Sequence, residues 1–203
     1  MKRILIPLIC SFASLTLLAS SALADLKIGE TAPNFTLKDA DGKTRSLSEF
    51  SGKFVVLEWT NPDCPFVHKH YDSGNMQKLQ TEYTAKGVVW LSICSSGSGK
   101  QGNYPPAEIK KILADRKAAP TDYLIDSDGK VGKTYSAKST PDMFVINPKG
   151  VLIYSGAIDS IPSPEPADIP KATNYVSQAL DEAMAGKPVQ IASTKSYGCG
   201  IHY

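Results

Sequence analysis

The chain has 203 residues, with 22 lysines and arginines against 20 aspartates and glutamates, 42% hydrophobic residues and four cysteines. Two of the cations, Lys2 and Arg3, stand at the very start. The rest is therefore balanced in charge, which excludes the basic surface of a nucleic-acid-binding protein. The length suits one domain with its own core.

Residues 1–24 read as a cleaved secretory leader: two cations, an apolar run from Ile4 to Leu18, and Ala22-Leu23-Ala24 as a small-x-small cleavage site. The apolar run is shorter than the ~20 residues of a spanning helix, and no later segment looks able to span a membrane. Cys10 lies within the run without the small residues that a lipoprotein cleavage site places before its cysteine. The expected product is a single domain, residues 25–203, in the periplasm or secreted. Cys64, Cys94 and Cys199 then occupy a compartment that permits disulfides. Whichever pair bridges, one thiol is left over.

Past the leader, a short strand over Phe35–Leu37 and a turn at Asp41-Gly42 precede Phe54–Trp59, a run apolar on both faces as in a central parallel strand. A short helical piece follows Cys64 and breaks at Asp72–Asn75. Met76, Leu79 and Tyr83 then recur at helical spacing, predicting a helix over 76–86 that Gly87 stops. Val88–Cys94 is the next buried strand, completing a strand-helix-strand unit with its loops at the carboxyl ends of the strands. A Gly- and Ser-rich loop covers 95–103, and Pro105-Pro106 opens a helix over 107–117. Residues 122–137 predict a short strand, an Asp-Gly turn and a short helix. The Asp126–Gly129 turn lacks the later ligands of a calcium loop. Met143–Ile146 and Val151–Gly156 form a hairpin about Pro148-Lys149-Gly150, followed by a proline-rich connector, Ile161–Pro170. Asn174–Ala185 is an amphipathic helix ending at Gly186, and the tail beyond it is non-helical.

Cys64 stands in Asn61-Pro62-Asp63-Cys64-Pro65, between the first apolar strand and a helix. Helix-terminal N–H groups and the helix dipole stabilise a thiolate there, while Asp63 opposes it. A turn with prolines on both sides is a poor place for a merely structural buried thiol. Val67 takes the place of the second cysteine of a C-x-x-C motif, so no short-range disulfide forms. The partner must come from elsewhere. Extended, the twelve residues from Lys187 to Cys199 reach ~40 Å, comparable with the diameter of such a domain. Cys199 is thus the favoured partner. A permanent Cys64–Cys199 bridge closing more than 100 residues is the alternative, with up to about 5 kcal/mol of stabilisation behind it. Cys94 ends a buried strand beside the one leading to Cys64, which makes it an alternative partner, and reads first as a small apolar packing residue.

These motifs carry a family resemblance. "APNFTLKDADGKTRSLSEFSGKFVVLEW", "NPDCPFV", "TPDMFVINPKGVLIYSG", "ALDEAMAGKPV" and "TKSYGCGIHY", in that order, resemble the thioredoxin superfamily, in the redoxin group related to alkyl hydroperoxide reductase and thiol-specific antioxidant proteins. The tail is similar to that of a subgroup ending in Gly-Cys. The resemblance implies an α/β thioredoxin-like fold with a mixed central sheet flanked by helices. It implies a thiol-disulfide oxidoreductase with no cofactor and no metal, in which Cys64 attacks and Cys199 resolves. Glu58, six residues before Cys64, matches the buried acid that manages protons in thioredoxins, and a carboxyl in an apolar strand has a raised pKa. Thr140-Pro141 matches the cis-proline element that pairs with an extended peptide or thiol substrate. The implied partners are a thiol or disulfide protein or a small thiol, together with a separate redox partner.

Three alternatives stand beside this reading. A thiol peroxidase would use the same cysteine, but the pattern P-x-x-x-T-x-x-C asks for proline and threonine where Leu57 and Asn61 stand, and past the leader only Arg45 and Arg116 supply a guanidinium. A copper-binding protein would use Cys64 with His68, four residues on and on the same helix face, and His70; solvated surface histidines are the plainer reading. A redox-inert binding module would keep Cys64 and Cys199 permanently bridged.

Overall fold

A computed structural model describes residues 26–203; the leader expected over 1–24, Cys10 included, lies outside the described residues. In chain order the strands are β1 (Thr36–Asp39), β2 (Thr44–Ser46), β3 (Val55–Trp59), β4 (Val89–Cys94), β5 (Asp122–Ile125), β6 (Ser139–Thr140), β7 (Asp142–Ile146), β8 (Leu152–Gly156) and β9 (Cys199–Gly200). The α-helices are α1 (Pro65–Asp72), α2 (Asn75–Ala85), α3 (Pro106–Asp115), α4 (Lys130–Thr134) and α5 (Tyr175–Met184). Short 3-10 helices lie at Leu47–Phe50 and Pro166–Lys171. The second overlaps the proline-rich stretch, Ile161–Pro170, that the sequence predicts as a plain connector.

Seven strands form one mixed sheet in the order β2-β1-β5-β4-β3-β7-β8. β3, β4 and β5 run parallel, while β1 is antiparallel to β5 and β7 is antiparallel to β3. Every residue of β3, β4 and β7 is buried, as expected of strands covered on both faces. Strand alternation divides the core in two. Val55, Leu57 and Trp59 pack with Leu91, Ile93, Tyr135 and Phe144 on one side. Val56 faces the opposite way, with Trp90, Met143 and Val145, against Val67 of α1, Met76, Leu79 and Tyr83 of α2, and Val176 and Leu180 of α5. Fully burying each large apolar side chain contributes about 1.5–3 kcal/mol.

Helix α5 shows how local sequence sets an element. Val176, Ala179 and Leu180 make its buried stripe, and the Asn174 side chain accepts the Ser177 N–H (2.9 Å) as N-cap. No helix among the described residues is long and apolar enough to cross a membrane.

Candidate active site

Cys64 ends the loop from β3 and caps α1. Its backbone is extended (φ −77°, ψ 125°), Pro65 takes the first helical position, and its carbonyl accepts the Val67 and His68 N–H groups, both at 2.9 Å. Proline fits there because that N–H has no helical partner in any case. The preceding turn is braced locally: the Asp63 N–H donates to Asn61 Oδ1 (2.9 Å) and the Cys64 N–H to the Asn61 carbonyl (3.1 Å). The Asp63 carboxylate accepts from the Gly102 N–H (3.0 Å) and the Tyr104 hydroxyl (2.8 Å), so its charge is engaged by the loop after β4. Arg116 donates to the Pro62 carbonyl (2.7 Å) and stands over the Tyr71 ring. Arg45 is held at the other end of the sheet order by Asp39 and Asp122.

The Cys64 side chain is fully buried. Its Sγ lies 2.6 Å from Cys199 Sγ and 3.1 Å from the Thr140 carbonyl oxygen, and both cysteines are free thiols. Cys199 arrives on β9, which pairs antiparallel with β6 so that Cys199 faces Thr140 and Gly200 faces Ser139. The Thr140–Pro141 bond is cis. The fold thus brings Cys64, Cys199, Thr140 and Pro141 to one place. Burial, and then the adjoining Cys64, push the Cys199 thiol up to about 12, although the Phe66 N–H works against this. Cys199 is therefore held protonated at neutral pH.

Glu58 lies on the same face of β3 as Val56 and is fully buried. Its carboxylate accepts from Trp90 Nε1 (2.8 Å), Ser92 Oγ (2.9 Å), the Tyr71 hydroxyl (2.9 Å) and Gln80 Nε2 (3.3 Å). Burial raises its pKa, and these four donors oppose the rise. None of them is a thiol. Glu58 reaches the cysteine helix through Tyr71 of α1.

The two histidines part company. His68 is half-buried, with Nδ1 3.1 Å from Asp72 and Nε2 3.3 Å from Arg116. The plainer expectation of a solvated ring fails for His70, which is fully buried: Asn75 Nδ2 sits at its Nδ1 (2.9 Å), and its Nε2 faces Asp159 at 3.8 Å. The rings engage different partners, so the Cys64–His68–His70 donor set is not assembled. Cys94 packs with Ala40, Ile109 and Tyr123, in a different cluster from Cys64.

Sequence reasoning missed the group that anchors the tail beside the cysteines. Lys69 Nζ, fully buried, donates to Asp159 (3.0 Å) and the Ile161 carbonyl (3.0 Å), and the Tyr197 hydroxyl donates to Asp159. Tyr197 stands two residues before Cys199, its ring edge-on to Phe66 (centroids 5.9 Å). Tyr197 was visible beside Gly-Cys, but a lysine on a short helix carries no signal of burial.

Residues 28–155 match the AhpC/TSA family. The chain is 28% identical over 127 residues to the thiol-disulfide oxidoreductase ResA of Halalkalibacterium halodurans, covering 63% of this chain and 66% of that protein. It is 32% identical over 136 residues to the chloroplastic peroxiredoxin Q of Triticum aestivum, covering 62% and 57%. The chain spans about two thirds or less of the length of these two relatives. An uncharacterised conserved protein of Geobacillus kaustophilus has a solved structure that superposes with a TM-score of 0.73 at 27% identity, over 88% of this chain and 93% of that one. More distant solved thiol-disulfide oxidoreductases share the fold. With a match over well more than half its length and a mixed sheet of thioredoxin-like form, the chain belongs to the AhpC/TSA family of thioredoxin-like redoxins.

Proposed function

We propose that this thiol-dependent oxidoreductase exchanges thiols and disulfides with Cys64 as the attacking sulfur and Cys199 as the resolving one. The observation that carries the reading is the 2.6 Å approach of the two thiols across the β6–β9 pair. A covalent S–S bond is about 2.05 Å, so closing it takes a shift of roughly half an ångström. Cys64 gives up its proton and attacks one sulfur of a substrate disulfide, and the other substrate sulfur leaves as a thiolate that takes up a proton. Cys199 then gives up its proton and attacks Cys64 Sγ, and the second substrate sulfur departs as a thiolate that takes a proton up. Two electrons pass to the substrate, leaving a Cys64–Cys199 disulfide that a separate dithiol reductant reopens; the reverse sequence oxidises a dithiol. Thr140 and Pro141 line the approach to Cys64. Glu58, with its raised pKa, is the proton-holding group beneath α1, acting through Tyr71. We place the domain, residues 25–203, in the periplasm or outside the cell, on the leader read at 1–24.

Single turnover of the reduced protein with oxidised glutathione tests the pair. The expected result is two glutathione thiols released per chain and a Cys64–Cys199 disulfide in the mass spectrum. Cys64→Ser should abolish release with the fold intact, and Cys199→Ser should stop at a Cys64–glutathione adduct. Full turnover by Cys64→Ser, or a Cys94–Cys199 bond, would sink the assignment.

The likeness to peroxiredoxin Q supports a second reading, peroxide reduction by the same cysteines. Cys64 would attack the peroxide oxygen to give a sulfenic acid and an alcohol or water, and Cys199 would condense with it, releasing water. Hydrogen peroxide offered in place of glutathione disulfide distinguishes the two by rate.

A further inference from the structure

Among the described glycines, three lack a positive φ: Gly97, Gly132 and Gly200. Gly200 has open space around it. The other two are crowded, and both face one residue. A Cβ on Gly132 would come within 2.7 Å of Tyr203 Cε1, the Tyr203 hydroxyl and Ser95 Oγ, and a Cβ on Gly97 within 3.1 Å of the Tyr203 carbonyl carbon. Gly132 sits inside α4, where glycine is among the poorest helix formers. Its value there is the room it leaves. Gly129 completes the slot, since a Cβ there would meet the Tyr203 ring at 2.4 Å. The Tyr203 hydroxyl donates to the Ala137 carbonyl (2.9 Å), the Gly97 N–H donates to the His202 carbonyl (2.7 Å), and Lys133 Nζ lies 5.3 Å from the ring centroid. Tyr203 is only four residues from Cys199, and the slot lies beyond the β6–β9 pair. The tail is thus held on both sides of Cys199: by Tyr197 before it and, after it, by Tyr203 together with Ile201 against the core and the Gly97–His202 hydrogen bond.

We propose that Tyr203 is a positioning residue for disulfide exchange: seated in the glycine-floored slot, it latches β9 over Cys64 and delivers Cys199, and its release opens Cys64 and the β6 edge to an incoming disulfide. This rests on the exchange pair proposed above. In the resolving step Cys199 gives up its proton and attacks Cys64 Sγ of the Cys64–glutathione adduct, forming the internal disulfide while glutathione leaves as a thiolate that takes up a proton. The latch sets the rate of that step. A flexible tether supplies its partner at millimolar effective concentration and an oriented one at far more, so losing the ring anchor should slow closure roughly tenfold.

Two measurements test this. In the reduced Cys199→Ser protein, where no internal disulfide forms, iodoacetamide should modify Cys64 about tenfold faster once Tyr203→Ala or Gly132→Ala empties the slot. Tyr203→Phe, which keeps the ring, should stay within about twofold of the parent. Combining Tyr203→Ala with Gly132→Ala should add nothing further, because both remove one interaction. In the protein retaining Cys199, the same variants should close the Cys64–glutathione adduct about tenfold more slowly, while its formation from oxidised glutathione is not slowed. Unchanged alkylation and closure in both Tyr203→Ala and Gly132→Ala would overturn the latch. If the parent never forms the Cys64–Cys199 bond, the exchange pair fails instead, and the alkylation ratios still decide the latch.

Discussion

Lys69 carries its charge where a lysine is almost never found. It is fully buried, and its compensation is Asp159, itself 3% exposed, together with the Ile161 carbonyl. A buried pair of this kind is weak as a source of stability but costly to break from one side, because the remaining charge has no water to turn to. Lys69→Met should therefore cost about 3–5 kcal/mol in denaturant unfolding, and adding Asp159→Leu should recover a large part of it. Recovery of stability should not restore the site. Tyr197 donates to Asp159, so the double variant leaves the tail short of an anchor, and its Cys64–Cys199 closure should stay slow although its unfolding midpoint has returned. A double variant that closes at the parental rate would mean that Asp159 serves the core alone.

At the scale of elements, β9 depends on Gly198. Its φ is +129°, and a Cβ there would lie 2.0 Å from the Thr140 carbonyl oxygen, the same oxygen that Cys64 Sγ approaches. Gly198→Ala should push β9 off β6, slowing Cys64–Cys199 closure and costing about 1–3 kcal/mol. Gly200→Ala, in open space, should change stability by less than about 0.5 kcal/mol. Thermal unfolding and adduct closure measured on the pair check both. The same contrast explains what could be read from sequence. β3, β4 and β7 are dominated by apolar residues, with Glu58, Ser92 and Asp142 as their polar members, and α5 shows a helical stripe with its cap, so local pattern sufficed. β2 is three polar residues at a sheet edge, and β6 and β9 are two residues each, existing only because they pair across 59 positions of chain. Cys64 was legible from its turn and Cys199 from reach, since Val67 removes the nearby partner. The Lys69–Asp159 pair and the Tyr203 slot were not, because a lysine's burial and a glycine's vacated space are properties of long-range packing. Inside a sequence, Gly132 reads only as a weak point in a helix.

The whole molecule's response to acid follows from buried groups of opposite sign. Burial pushes His70 down to about 4 from 6.5, Asp159 opposing and Lys69 assisting. Its folded pKa lies below its unfolded value, so the unfolded chain takes up a proton first and stability is lost as pH falls from 6.5 to 4, by about 3 kcal/mol over the full window. Asp142, whose carboxylate accepts the Lys138 N–H (2.9 Å), is pushed up from 3.8 to about 6 by burial. Here the folded state keeps the proton longer, so stability is fully present below 3.8 and lost as pH rises to 6, again by about 3 kcal/mol. Glu58, also raised by burial, has the sign of Asp142. Between pH 7 and pH 4.5 the His70 and Asp142 terms oppose one another, so each partly masks the other in the parent. Single substitutions should expose what the balance hides. His70→Gln removes the acid-labile term and, relative to the parent, should gain about 2–3 kcal/mol on going from pH 7 to pH 4.5. Asp142→Asn removes the opposing term and, relative to the parent, should lose about 2 kcal/mol over the same interval. Urea unfolding of the three proteins at both pH values measures each difference directly. The same pH dependence in all three would mean that neither group has the buried surroundings on which these signs depend.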